Sequence, residues 1–241
     1  MANSHEPPGW GEDPLSDFFG RVQHNSYGTF LGYRSEFNRL VGIDISWLRL
    51  IDNLDRPPTI LLPLFASRAH SLYLSACYLA AGSLCGEVFP LLRTCLEFAV
   101  YAFHLNRHPE LFEIWRNRSD SPQARRAVQD RIKIGNALTE LSNHDQDLGG
   151  LARAFYNNAI DLGAHPNELS VFGGMRVLDR DEDSFTIVTD YLHPNTVNHE
   201  LALKETARIG ICSLEILGLV APERFEPLGI PEQLEELKRG L

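Results

Sequence analysis

One segment of the chain combines an almost wholly apolar helical pattern with a single narrow polar stripe. Residues 91–105 read LLRTCLEFAVYAFHL, inside a helix predicted over about 87–106. At 100° per residue, the side chains of Arg93, Glu97, Tyr101 and His104 fall within about 80° of one another on a helical wheel. A solvated helix would present a wider polar face, so we predict a core helix whose stripe faces the protein interior.

Helical periodicity continues along most of the chain and predicts a mainly α fold. Hydrophobic residues make up 44% of the sequence and charged residues 22%, which is typical of a globular protein and excludes a disordered chain. We expect a bundle of five to seven helices. The long ones are predicted over about 29–54, 60–81, 87–106, 121–141, 147–162 and 195–220.

Two regions depart from the helical pattern. Residues 1–27 are rich in Pro, Gly and polar side chains, so we predict a loosely ordered N-terminal arm. Residues 28–241 then form a single helical domain. Between about 169 and 192, two short segments rich in Val, Ile, Thr and Phe flank the polar run Asp179–Asp183, and this pattern predicts one small β-hairpin.

The charge distribution limits the choice of partners. The net charge is −10, and the excess lies in residues 134–241, which contain 18 acidic and 8 basic residues. An acidic surface repels phosphates, so broad binding to nucleic acid is disfavoured. The stretch 107–133, with seven basic residues against four acidic ones, is either a solvated helix face of mixed charge or a local patch for an anionic partner. No span suits a membrane helix, and we predict a cytoplasmic protein without a membrane partner.

Known catalytic and metal-binding motifs are missing from the sequence. The four cysteines form no CxxC pair, and the sequence contains no HExxH, no di-iron ExxH pair, no GxxxxGK[ST] loop and no GxSxG elbow. We therefore predict neither a metal nor a cofactor.

The polar stripe supports two interpretations. In the first, Arg93 and Glu97 form a buried ion pair that only fixes the packing. In the second, the stripe lines a cleft in which Arg93 holds an anion, Glu97 orients the guanidinium and His104 carries a proton or binds the ligand. His165 follows a later helix, and its loop could point it towards the stripe. The candidate ligand-binding residues are thus Arg93, Glu97, Tyr101, His104 and His165.

Three segments resemble helical proteins related to the HEPN superfamily. They are LLRTCLE at 91–97, PELFEIWRNR at 109–118 and YNNAIDLGAHP at 156–166, and the resemblance covers about residues 60–166. It implies a helical bundle, frequent dimers and, in some members, ribonuclease activity in toxin or defence systems. Those ribonucleases have an Arg and a His on one helix with four to six residues between them. No Arg of this chain has a His at that spacing, and an Arg93–His165 pair would have to replace it.

Two functions follow from these observations. The leading one is a cytoplasmic binding or interaction module, a homodimer that holds a small anionic ligand near Arg93 and Glu97. The alternative is an Arg/His-dependent hydrolase such as a HEPN-like ribonuclease. The departure from the ribonuclease spacing favours a non-catalytic relative.

Overall fold

The computed structural model describes residues 6–54, 60–172, 174–180 and 185–241. These residues form a mainly helical structure, as the sequence predicts, with more α-helices than the five to seven expected. The α-helices are, in chain order, α1 (Pro14–Gly32), α2 (Arg34–Asp52), α3 (Leu61–Ala81), α4 (Val88–Arg107), α5 (Pro109–Arg116), α6 (Pro122–Arg131), α7 (Ile134–His144), α8 (Gln146–Ala159), α9 (Glu168–Phe172), α10 (Val197–Gly218), α11 (Pro222–Phe225) and α12 (Ile230–Lys238).

The helix count rises partly because short helices such as α9 and α11 were not predicted, and partly because two predicted helices are each interrupted by non-helical backbone. The run predicted over 29–54 breaks at Tyr33 (φ −115°, ψ 46°), which separates α1 from α2. The run predicted over 121–141 breaks at Ile132 and Lys133, which are extended and separate α6 from α7. Ile132 is buried, so the interruption places an apolar side chain in the core.

Of the loosely ordered arm expected over residues 1–27, the structure corrects the part from residue 14 onwards, because α1 begins at Pro14. The Asp13 side chain accepts hydrogen bonds from the backbone N–H groups of Leu15 and Ser16, which caps the helix. Val22 then anchors α1 on the bundle. A Cβ built on Gly82 would lie only 2.6 Å from Val22 Cγ1, so the two segments meet closely.

The centre of the bundle consists of α3, α4 and α10, which pack against one another. Small buried residues on α3, among them Ala66, Ala69 and Ala76, allow close approach of the neighbouring helices. Trp47 on α2 and Tyr73 on α3 fill the space beside them, and the Tyr73 hydroxyl donates a 2.9 Å hydrogen bond to the Leu40 carbonyl.

The helices α7 and α8 form a second layer that covers α4. They cross closely at Gly149, where a Cβ would lie 2.4 Å from Ser142 Cα. A short π-helix (Ile160–Ala164) continues from α8 and also packs on α4. This layer brings side chains of α7 and α8 against the polar stripe of α4.

The predicted hairpin region contains β1 (Met175–Arg180) and β2 (Phe185–Thr189), which pair antiparallel. The first segment begins differently from the prediction, because residues 168–172 form α9 instead of extended chain. The turn predicted around Asp179–Asp183 falls largely on residues 181–184, outside the described residues.

Candidate functional site

The helix α4 is buried on most of its circumference because α3, α10, α7 and α8 all pack against it. Its apolar side chains fill these contacts, and Leu92, Cys95, Leu96 and Ala99 are almost completely inaccessible to solvent. The polar residues therefore occupy the one face that the layer of α7 and α8 covers only in part. Along this face the stripe separates into two groups of side chains.

The first group contains Arg93, Glu97 and Tyr101 on α4, with Tyr156 from α8. Arg93 Nε lies 3.4 Å from Glu97 Oε1, and the two side chains retain only 26% and 23% of their exposure. The Tyr156 hydroxyl interacts with the Glu97 carboxylate from across the helix interface. The carboxylate thus links α4 to α8.

Burial dominates the electrostatics of this group. It raises the pKa of Glu97, although Arg93 and the hydrogen bond from Tyr156 act in the opposite direction. Burial, together with the charge of Glu97, also raises the pKa of Tyr101 to about 12. Both phenols therefore remain protonated at neutral pH and can donate hydrogen bonds.

The Arg93 guanidinium is incompletely satisfied by the protein. Its Nε is buried and has no hydrogen-bond acceptor among the described residues, since the contact with Glu97 is an ion pair without hydrogen-bond geometry. A buried donor without an acceptor costs about 1–3 kcal/mol. An incoming anion could bind the remaining N–H groups of the same guanidinium.

The second group lies at the C-terminal end of α4 and centres on Glu140 of α7. His104 Nδ1 forms a short hydrogen bond with Glu140 Oε2, and Arg107 Nε donates a 2.9 Å hydrogen bond to Oε1. His108 Nε2 lies 3.1 and 3.2 Å from the two oxygens. One carboxylate therefore faces two imidazoles and a guanidinium.

Glu140 is held in its charged form by these partners. Burial by itself raises the pKa of the carboxyl, but the hydrogen bonds from His104 and Arg107 and the neighbouring imidazoles outweigh burial, so that the pKa is lowered. The ring of His104 is buried, and it packs against the ring of His108 at a centroid distance of 4.9 Å.

The structure therefore divides the five predicted site residues. It brings Arg93, Glu97 and Tyr101 together and places His104 in the separate group around Glu140. His165 follows the π-helix and is exposed, with no contact to Arg93 among the described residues.

Sequence reasoning did not find Tyr156, Glu140 and His108 as partners of the stripe. Glu140 lies 36 residues from His104 in the sequence, and no spacing rule connects two different helices. His108 lies between the end of α4 and Pro109, the first residue of α5. The helix ends at Arg107, yet the His108 ring turns back towards His104.

The polar stripe lies apart from four surface clefts that the described residues form. Four surface clefts of about 310 to 640 Å³ are lined by other residues, and none of the four contains Arg93, Glu97 or His104. The first group therefore lies outside these four clefts, and its ion pair is only partly covered.

The basic stretch 107–133 has a mixed arrangement. Arg107 binds Glu140, and Arg116 forms a 2.6 Å ion pair with Glu113. Its other basic side chains are exposed, on or beside α6, a helix without any buried residue. A role for this stretch with an anionic partner remains a prediction.

Comparisons with family models, curated proteins and solved structures find no match for this chain. Among the described helices, α4 is long and apolar enough to cross a membrane, and 61% of its most apolar window is buried inside the protein. Core helices of soluble proteins share these properties, so the cytoplasmic location stays a prediction.

We predict that the Glu97→Gln variant removes a pH-dependent loss of stability. Because the pKa of Glu97 is raised above 4.5 by burial, the folded protein binds this proton more tightly than the unfolded chain, and the site loses stability as the pH rises above about 4.5. We expect urea unfolding at several pH values to show that the free energy of unfolding of the variant, relative to that of the wild type, rises over this range and then stays constant.

The matched control is Glu113→Gln, which alters an exposed carboxylate in another ion pair with arginine. Its stability relative to the wild type should show no such rise. If the stability of Glu97→Gln relative to the wild type fell with rising pH, this result would contradict the burial that we assign to the carboxyl.

Proposed function

We propose that the protein is a helical binding module that holds a small anionic ligand at Arg93. The observation that supports this proposal is the guanidinium itself, which is half-buried and which, among the residues that the structure describes, forms one ion pair, with Glu97, and has no hydrogen-bond acceptor for its Nε. A guanidinium presents five N–H donors in a planar fork that matches the oxygens of a carboxylate or a phosphate. The Tyr101 hydroxyl is a further donor in the same group, whereas the Tyr156 hydroxyl already donates to Glu97.

The neighbouring Glu97 carboxylate fits this role. It holds the guanidinium in place through the ion pair, and its raised pKa makes the neutral form easier to reach when an anion approaches. Protonation of Glu97 would relieve the repulsion between the two negative groups. Binding of an anion should therefore be coupled to uptake of a proton.

The alternative of an Arg/His-dependent hydrolase, such as a HEPN-like ribonuclease, has less support. Such an enzyme needs the arginine and a histidine to converge on one reacting group. Arg93 has no imidazole beside it among the described residues, because His104 faces Glu140 and His165 is exposed. We therefore prefer a binding module over an enzyme.

We further propose that the module is a homodimer that associates through α2. Val41, Ile45 and Leu48 recur one turn apart on this helix, and each retains more than two-fifths of its exposure. A continuous apolar stripe on an exposed helix is typical of an interaction surface. A second copy would cover the same stripe around a two-fold axis.

The anion site is tested by the thermal stability of the Arg93→Gln variant in inorganic phosphate and in acetate. Each anion is compared with chloride at equal ionic strength. A ligand at ten times its Kd adds about 1.4 kcal/mol, which raises the Tm of a chain of this size by about 3–6 °C. We expect this rise for the wild type with at least one of the two anions and its loss in Arg93→Gln.

The control is Arg21→Gln, which removes another arginine paired with a carboxylate one helical turn away, at 3.3 Å from Asp17. This variant should retain the response to the anion. Equal responses of the wild type and Arg93→Gln, or none in the wild type with either anion, would refute the proposed site.

The dimer is tested by sedimentation of the Ile45→Glu variant. A charge in the centre of the α2 stripe should convert a dimer into a monomer, because a buried unpaired carboxylate opposes association. Leu151→Glu on α8 is the control, since Leu151 is 43% exposed against 44% for Ile45. A monomeric wild type, or equal behaviour of the two variants, would contradict association through α2.

A further inference from the structure

We propose that His104, His108 and Glu140 form a binding site for a divalent transition-metal ion such as Zn²⁺. Their ligand atoms, the imidazole nitrogens and a carboxylate oxygen, all lie within 4.8 Å of one another. The sequence predicts no metal site, because the set is divided between the end of α4 and the middle of α7. The fold brings the three side chains together.

The donor set indicates the class of ion. Two imidazoles and one carboxylate suit zinc and its first-row neighbours, whereas calcium and magnesium prefer oxygen ligands alone. Bonds of about 2.0–2.2 Å to a tetrahedral zinc ion place its ligand atoms a little over 3 Å apart. The separations of 3.1 and 3.2 Å between His108 Nε2 and the Glu140 oxygens agree with that spacing.

The groups around the three ligands have the arrangement of the hydrogen-bond partners that orient the ligands in protein metal sites. His108 directs Nε2 towards Glu140, while its other nitrogen, Nδ1, lies 3.4 Å from Glu110 Oε1. A carboxylate behind a coordinating imidazole fixes the ring and increases its basicity. Arg107 binds Glu140 Oε1 at 2.9 Å, which leaves Oε2 on the side of His104 for the ion.

The proposed site is open to solvent on one side, because its three ligands are unequally buried. The His104 side chain is buried and that of Glu140 retains 22% of its exposure, whereas His108 retains 38% at the protein surface. Three protein ligands with a solvent-facing side leave at least one coordination position for water or another ligand. The ion would enter from the side of His108 and replace the direct hydrogen bond between His104 and Glu140.

Without a metal, the same residues would form only a network of hydrogen bonds and ion pairs around Glu140. The two interpretations differ in measurable ways. A metal site takes up one ion per chain and depends on the second carboxylate, Glu110, through the orientation of His108. A network without a metal shows neither property.

The test is calorimetric titration of the full chain with Zn²⁺ near neutral pH, after treatment with a chelator and dialysis. Absorption spectroscopy with Co²⁺ reports the coordination geometry independently. We expect saturation at one ion per chain in the wild type. Glu110→Gln should weaken binding about 10-fold, and His108→Gln, which removes a ligand, should weaken it more than about 100-fold.

His108 lies at the surface, so His108→Gln should fold, and circular dichroism verifies this. His144→Gln is the control, because His144 lies on α7 and packs on Phe103 outside the ligand set. It should bind Zn²⁺ like the wild type. Absence of saturable binding in the wild type, unchanged binding in folded His108→Gln, or equal loss in His144→Gln would overturn the proposal.

Discussion

The burial of α4 among four other helices is the constraint from which the rest of the structure follows. A helix covered by α3 and α10 on one side and by α7 and α8 on the other has little surface left for polar groups. Charged side chains without partners are expensive to bury, so Glu97 and His104 of α4 need partners from the covering layer. Tyr156 on α8 and Glu140 on α7 are these partners.

The length of the helix then divides the stripe into two sites. At a rise of 1.5 Å per residue, Arg93 and His104 are about 16 Å apart along the axis, too far to act on one small ligand. The first group is governed by burial, which raises the pKa of Glu97. The second is governed by its cationic partners, which lower the pKa of Glu140. The two glutamates therefore have pKa values shifted in opposite directions.

The sequence predicts most of the helical framework, because periodicity within one helix is a local property. The positions of α3 and α4 and the narrow stripe of α4 were recognisable in this way. The helix break at Tyr33 was not, although Gly32 directly precedes it, because a single Gly inside a helical pattern does not by itself end a helix. Of the residues that form the two groups, the sequence predicted only those on α4, because Arg93, Glu97, Tyr101 and His104 share one helix. Tyr156 and Glu140 approach them through the crossing of α7 and α8, which is a property of tertiary packing.

The division of the stripe is tested most directly by two double-mutant cycles on the free energy of unfolding. One combines His104→Gln with Glu140→Gln, and the other combines His104→Gln with Glu97→Gln. Our account predicts a coupling energy of about 0.5–3 kcal/mol for the first pair, which is in contact, and additivity within about 0.3–0.5 kcal/mol for the second. Strong coupling of His104 to Glu97, together with none to Glu140, would contradict the separation of the two sites.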